Sequence, residues 1–209
     1  MSIETKNQSG QSLIETIIAL FVLTTGLISG LALAIFTFGT SSEITNQLTA
    51  TGLAREGIEA VRSKRDSNWL SGTLVDCGAD LGLNQDCYQN WLNGINGPSG
   101  GQAYKIIFDP AIQTASKWSI VPAANNYQLY RQGDGTFSHT VSGTPTQFFR
   151  KVIVINQNTD NPSAETQVLV RSAVWWHGKR CPEITDYNNP SNTPCREVSE
   201  EYLTNWRNY

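Results

Sequence analysis

Thr16–Ser42 reads TIIALFVLTTGLISGLALAIFTFGTSS, an uncharged run of 27 residues that begins one position after a lone carboxylate, Glu15. About 20 apolar residues rising ~1.5 Å each cross the ~30 Å hydrocarbon layer of a bilayer, so the run predicts a transmembrane helix. Ahead of it lie a polar leader, MSIETKNQSG, and then Gln11, Ser12, Leu13 and Ile14. A secretory signal peptide has an apolar region of roughly 7–15 residues followed by a small-residue cleavage site. This run is longer, and no such site follows it. A simple signal anchor has no use for Glu15, because a carboxylate close to hydrocarbon costs on the order of 2–3 kcal/mol; its presence suggests a partner cation. Gly26 and Gly30 form G-x-x-x-G inside the run. That spacing permits close helix–helix contact, although glycine is common in membrane helices in any case.

Past the run, Ile44, Leu48, Ile58 and Val61, with Thr51 and Ala54 between them, form one stripe at helical period over Glu43–Arg65. Arg55 and Glu59 are spaced for an i,i+4 pair. Gly52 and Gly57 each weaken a helix by about 1 kcal/mol, so packing has to supply the difference. Asp66-Ser67-Asn68 reads as the helix end. From Trp69 onward the chain is rich in glycine turns, and strand-like runs follow at Ala103–Phe108, Tyr127–Tyr130, Gly135–Val141, Phe148–Ile155, Gln167–His177 and Arg196–Leu203. Gly133-Asp134-Gly135 is a tight-turn signal between two of them. The expectation is an α+β fold: one long N-terminal helix, half in lipid and half packed on an antiparallel β-sheet, with the last two strands forming a hairpin.

The four cysteines, Cys77, Cys87, Cys181 and Cys195, are spaced C-x9-C and C-x13-C, with no C-x-x-C and no zinc pattern around His139 or His177. An even count in local pairs suggests disulfides Cys77–Cys87 and Cys181–Cys195, although four cysteines allow three connectivities and four free thiols remain an alternative. Such bonds imply an oxidising compartment, and a loop of about 15 residues gains roughly 3 kcal/mol from one in the chain-entropy model. The leader carries one basic side chain, Lys6, against Arg55, Arg62, Lys64 and Arg65 beyond the span, so the count of basic residues does not favour a cytoplasmic leader. The cysteines speak more strongly, and they put the head outside the cytoplasm.

A net charge of −3 gives no electrostatic support for nucleic-acid binding. His139 and His177 are the only histidines, and neither sits in a nucleophile–base context, so both read as packing or surface residues. Asn156-x-Asn158-x-Asp160 has part of a calcium loop's spacing. It lacks the glycine at the sixth position (Asn161) and the acid at the twelfth (Gln167), so it reads as a polar turn, as does Asp80–Asp86. The six tryptophans and seven tyrosines read as core rather than as a glycan platform. No catalytic residue, cofactor or metal is expected.

Gly10, the Leu13-Ile14-Glu15 tripeptide with its acid at the fifth position after Gly10, and the long apolar run resemble the start of type IV prepilins and type II secretion pseudopilins. LAREGIEAVRSKRDSNW (53–69), GTFSHTVSGTPTQFFRKVIVI (135–155) and REVSEEYLTNWR (196–207) look like PilV-like minor pilins. The resemblance implies a pilin-like fold divided into a leader over 1–10, a long helix over 11–66 with its membrane segment at 16–38, and a disulfide-bonded head over 67–209. It implies cleavage between Gly10 and Gln11 by a prepilin peptidase on the cytoplasmic side, and N-methylation of the new Gln11 amine, where the family usually has Phe. It also implies that Glu15 meets the Gln11 amine of a neighbouring subunit in a filament. The implied partners are other pilin subunits, the peptidase, an assembly platform with its ATPase, and membrane lipid before assembly. Such a protein is single-pass in the cytoplasmic membrane with its head outside, and then part of a cell-surface or periplasmic filament. Alternatives are a pseudopilin of a secretion or DNA-uptake system, a pilus-tip adhesin, and an uncleaved single-pass surface protein.

Overall fold

The computed structural model describes residues 9–70, 91–95, 97–109, 117–157, 167–178, 181, 188 and 193–205. One helix, α1, runs Ser9–Leu70. It crosses two compact units, Met1–Thr45 and Asn46–Tyr209. In the first unit the helix is bare: all side chains from residue 12 to residue 38 are exposed. In the second it is one wall of a core, because its sequence changes from large apolar residues to small ones. Ala50, Leu53, Ala54, Ile58, Ala60 and Val61 are buried there.

Among the described residues, seven antiparallel strands make the other wall: β1 Gln102–Phe108, β2 Trp118–Pro122, β3 Gln128–Arg131, β4 Phe137–Ser138, β5 Thr144–Asn156, β6 Gln167–Trp176 and β7 Arg196–Thr204. The long strand β5 organises them. Along one edge it pairs with β6, which pairs in turn with β7. Along its other edge it serves two partners in succession: β3 up to Phe149, and β1 over Val152–Val154. Strand alternation then sorts the side chains. Val152, Val154, Val168, Val170 and Leu203 join Ile58 and Val61 in one cluster. Phe148, Val174 and Trp176 join Ala50, Leu53 and Ala54 in a second. Tyr127, Phe149 and Trp175 form a third, on the other face of the sheet.

The structure departs from the sequence reading in several places. Ile44 and Leu48 are 51% and 69% exposed, so the buried stripe is not theirs. It runs from Ala50 through Leu53 and Ala54 to the expected Ile58 and Val61, with Gly57 at the closest approach to the sheet. Glu59 pairs with Arg62 at 2.5 Å rather than with Arg55. The helix also runs past Asp66 to Leu70, because tertiary contacts outweigh local end signals. The Asn68 side-chain amide donates to the carbonyls of Trp91 and Asn93, each at 2.9 Å, and Trp69 stacks on Trp91 at 6.2 Å. Strand β2 is not among the expected strands; it is short and ends in Pro122, an edge-strand position. The Gly135–Val141 strand shrinks to Phe137–Ser138, since the next residue, His139, turns into the sheet. The turn at Gly133–Gly135 is present, with Gly135 at φ 88° and Gly135 N–H donating to Gln132 O at 2.9 Å.

The two glycines of the packed helix differ sharply. A Cβ on Gly57 would lie 2.3 Å from Ser172 Oγ and 3.1 Å from Val152 Cγ2, whereas one on Gly52 meets nothing within 4 Å. Gly52→Ala is therefore expected to stabilise by up to about 1 kcal/mol through helix propensity. Gly57→Val is expected to destabilise by about 2–3 kcal/mol through overpacking. Urea midpoints of the full chain in detergent micelles check the opposite signs; a shared sign would refute the close approach.

Candidate functional site

The backbone is helical from Ser9, so Gly10, Gln11 and Glu15 all lie on α1. Gln11 and Glu15 are four residues apart and therefore on one helix face. The Glu15 side chain is exposed. In the uncut chain the nitrogen of Gln11 is a peptide nitrogen and carries no charge, so residue 11 has no ammonium to offer its own Glu15. The helix is long and apolar enough to cross a membrane.

The hydroxyls inside the run show how a sequence with several threonines tolerates hydrocarbon. Thr25 Oγ1 donates to Phe21 O at 2.8 Å, Ser29 Oγ to Thr25 O at 2.7 Å, and Thr37 Oγ1 to Leu33 O at 2.8 Å. Thr24 and Thr40 bond back in the same way. An unpaired hydroxyl in an apolar medium costs several kcal/mol, and back-bonding to the preceding turn removes that cost. The sequence analysis counted these residues only as uncharged. Their spacing to carbonyls one turn earlier is the signal that was available. Among the described residues a Cβ on Gly26 or Gly30 meets nothing within 4 Å.

In the head, the structure brings Cys181 and Cys195 together in a disulfide with Cα atoms 5.7 Å apart. The bond closes the connection between β6 and β7, as the local pairing suggested. Cys77 and Cys87 lie outside the described residues, as do Asp80–Asp86 and the turn from Asn158 on. His177 is exposed, with its ring edge-on to Phe149 at 6.1 Å. His139 is buried, and both of its ring nitrogens are engaged with backbone: Nδ1 lies 3.1 Å from Ile106 N and 2.8 Å from Ile106 O, and Nε2 lies 2.9 Å from Arg150 O. That leaves it no nitrogen for a nucleophile. Burial is the main cause that pushes its pKa down from 6.5 to about 4, with help from the Arg150 charge.

Arg150 is not among the residues singled out from the sequence. Its side chain is fully buried and crosses the core from β5 to α1, where Nη1 donates to Glu56 Oε1 at 2.9 Å and to Leu53 O at 3.3 Å. The sequence did hold a signal for it. In FFRKVIVI, Arg150 shares the inward parity of Phe148, Val152 and Val154, and an arginine in that register needs an acid across the core. A second link joins Arg62 of α1 to Glu201 of β7, and Gln47 Nε2 donates to Glu197 Oε1 at 2.8 Å.

No family model, curated protein sequence or solved structure matches the chain. Its functional reading therefore rests on its own residues: an exposed, charge-free helix segment led by one carboxylate, and a stapled sheet that carries the later half of the same helix.

Proposed function

We propose that this chain is a minor pilin, a non-catalytic subunit of a type IV pilus or related filament with a pilin-like fold. The observation that carries the reading is the helix itself. After Glu15 its first part presents only uncharged side chains and bonds its hydroxyls internally, while its later part closes the core of an antiparallel sheet. Such a segment is stable in lipid and equally stable against identical segments, so a subunit can leave the membrane for a filament by exchanging neighbours. Under this reading a prepilin peptidase cuts between Gly10 and Gln11 and frees an ammonium. The Glu15 carboxylate of an adjoining subunit then neutralises it. An assembly platform and its ATPase drive the transfer. The disulfide fits a head that lies outside the cytoplasm.

The deciding measurement is the mature N-terminus. Co-expression with a prepilin peptidase is expected to remove ten residues, so that peptide mass spectrometry finds a chain starting at Gln11, with or without a methyl group on its nitrogen. A chain that still starts at Met1 in the presence of active peptidase would overturn the proposal and leave a single-pass surface protein.

A further inference from the structure

We propose that His139 is an acid-operated catch at the fork of the sheet, holding the β1–β2 wing to β5 while its ring is neutral and releasing the wing when the ring is protonated. The fork is a geometric fact. The β1–β5 ladder ends at Tyr104↔Val152. Continued in register it would next match Ile106 with Arg150, but there β5 has turned to its other partner, and Arg150 N–H donates to Tyr127 O at 2.8 Å beside β3. The imidazole of His139 fills the gap. Ile106 N–H donates to Nδ1 at 3.1 Å, and Nε2 lies 2.9 Å from the Arg150 carbonyl. The ring thus relays the hydrogen bond that the two strands would otherwise make directly.

Only the neutral ring passes the Ile106 N–H on to the Arg150 carbonyl; a protonated ring would donate to Ile106 O and Arg150 O instead. Nδ1 must accept and Nε2–H must donate, which is a neutral ring in a single tautomer. An added proton on Nδ1 faces the Ile106 N–H. It could turn to Ile106 O, 2.8 Å away, but the Ile106 N–H would then lose its acceptor in a buried seam. The new positive charge would also stand beside Arg150.

The two charges that act on the ring among the described residues point the same way, against the backbone bonds to Ile106 and Arg150, which favour its proton. Arg150 from β5 and Lys105 from β1 both disfavour its protonation. Glu56 from α1 is engaged by the Arg150 guanidinium. Strand β4 is Phe137–Ser138 and brings no charge. Strand β3 brings Tyr130 and an exposed Arg131. Tyr104 on β1 is buried, and burial raises its pKa further.

The folded pKa of His139 lies below its unfolded value, so the closed fork is favoured at high pH. It loses that advantage as the pH falls from 6.5 toward about 4. If opening returns the ring to water, the opening constant rises roughly thirtyfold between about pH 7.5 and about pH 5.

The test is hydrogen exchange followed by mass spectrometry on the full chain in detergent micelles, with rates divided by the intrinsic chemical rate at each pH. Amides of β1 and β2 are expected to gain roughly thirtyfold in exchange from about pH 7.5 to about pH 5, while those of β6 and β7 hold steady. In His139→Gln the amide can accept and donate as the ring does but cannot be protonated, so the gain should vanish. His177→Asn, at the other histidine, should keep it. Nitrogen-15 correlation spectra of the unmutated protein give a reading that needs no variant: His139 should be the neutral Nε2–H tautomer at about pH 7.5. Uniform pH dependence across all strands, or an Nδ1–H tautomer, would overturn the catch.

Discussion

Glu15→Ala is expected to leave the chain in the membrane and to cut its incorporation into filaments by at least about a hundredfold. The two halves of that result have opposite electrostatic origins. In the membrane, Glu15 is a liability of about 2–3 kcal/mol near hydrocarbon, so its removal eases insertion. In the proposed filament, its loss leaves the Gln11 ammonium of a neighbour without a counter-charge between packed helices. Removing one partner of a buried ion pair costs about 3–5 kcal/mol per contact. At ~1.4 kcal/mol for each factor of ten, that penalty exceeds a hundredfold at every subunit added. Glu15→Gln keeps the shape and the hydrogen-bonding atoms and loses only the charge, so it should fail nearly as badly. The check is quantitative immunoblotting of sheared filaments against total membrane. Normal incorporation of Glu15→Gln would mean that the carboxylate acts as a hydrogen-bond acceptor or not at all.

How far the fold could be read from the sequence depends on the range of the interactions that set it. Thr16–Ser42 needed no partner to be read as a helix, because every residue points to the same outcome. The sheet was readable where β-branched residues run long, as in Val152–Ile155 and Gln167–Trp176, and its ends were read to within a few residues there. Errors fell where a distant contact overrides the local signal. Trp91, over twenty residues away, extends the helix beyond Asp66. Ser172 decides that Gly57 must be a glycine, and the buried stripe starts at Ala50 rather than at Ile44 and Leu48. Strand β4 ends early because His139 is drawn to Ile106 and Arg150, more than ten residues away on either side. The sequence analysis took His139 for a packing or surface residue. It is buried, but what it contributes is a pair of hydrogen bonds, and these exist only because β1 and β3 share one edge of β5.

The ion pair between Arg150 and Glu56 is where removing either partner should give unequal results. The Arg150 side chain is fully buried, whereas that of Glu56 is 32% exposed. Glu56→Gln strands a guanidinium in the core, where an uncompensated charge costs on the order of 3 kcal/mol or more. Arg150→Met keeps most of the volume, removes the buried charge and leaves Glu56 within reach of water, so its cost should stay below about 2 kcal/mol. Among the described residues Arg150 Nε also has no hydrogen-bond partner, which lowers what the native arginine contributes. The expected order of urea midpoints for the full chain in micelles is native, then Arg150→Met, then Glu56→Gln. A reversed order would mean that the arginine's packing, not the balance of its charge, holds α1 to the sheet. Arg150→Met carries a second signature, because the arginine is one of the charges that disfavour a protonated His139. Without it the folded pKa of His139 moves up toward its unfolded value, and the proton uptake that drives acid destabilisation shrinks. Stability measured between about pH 7 and pH 4 should then fall less steeply in Arg150→Met than in the native chain. In Glu56→Gln, where the guanidinium stays and its counter-charge is gone, it should fall at least as steeply as in the native chain.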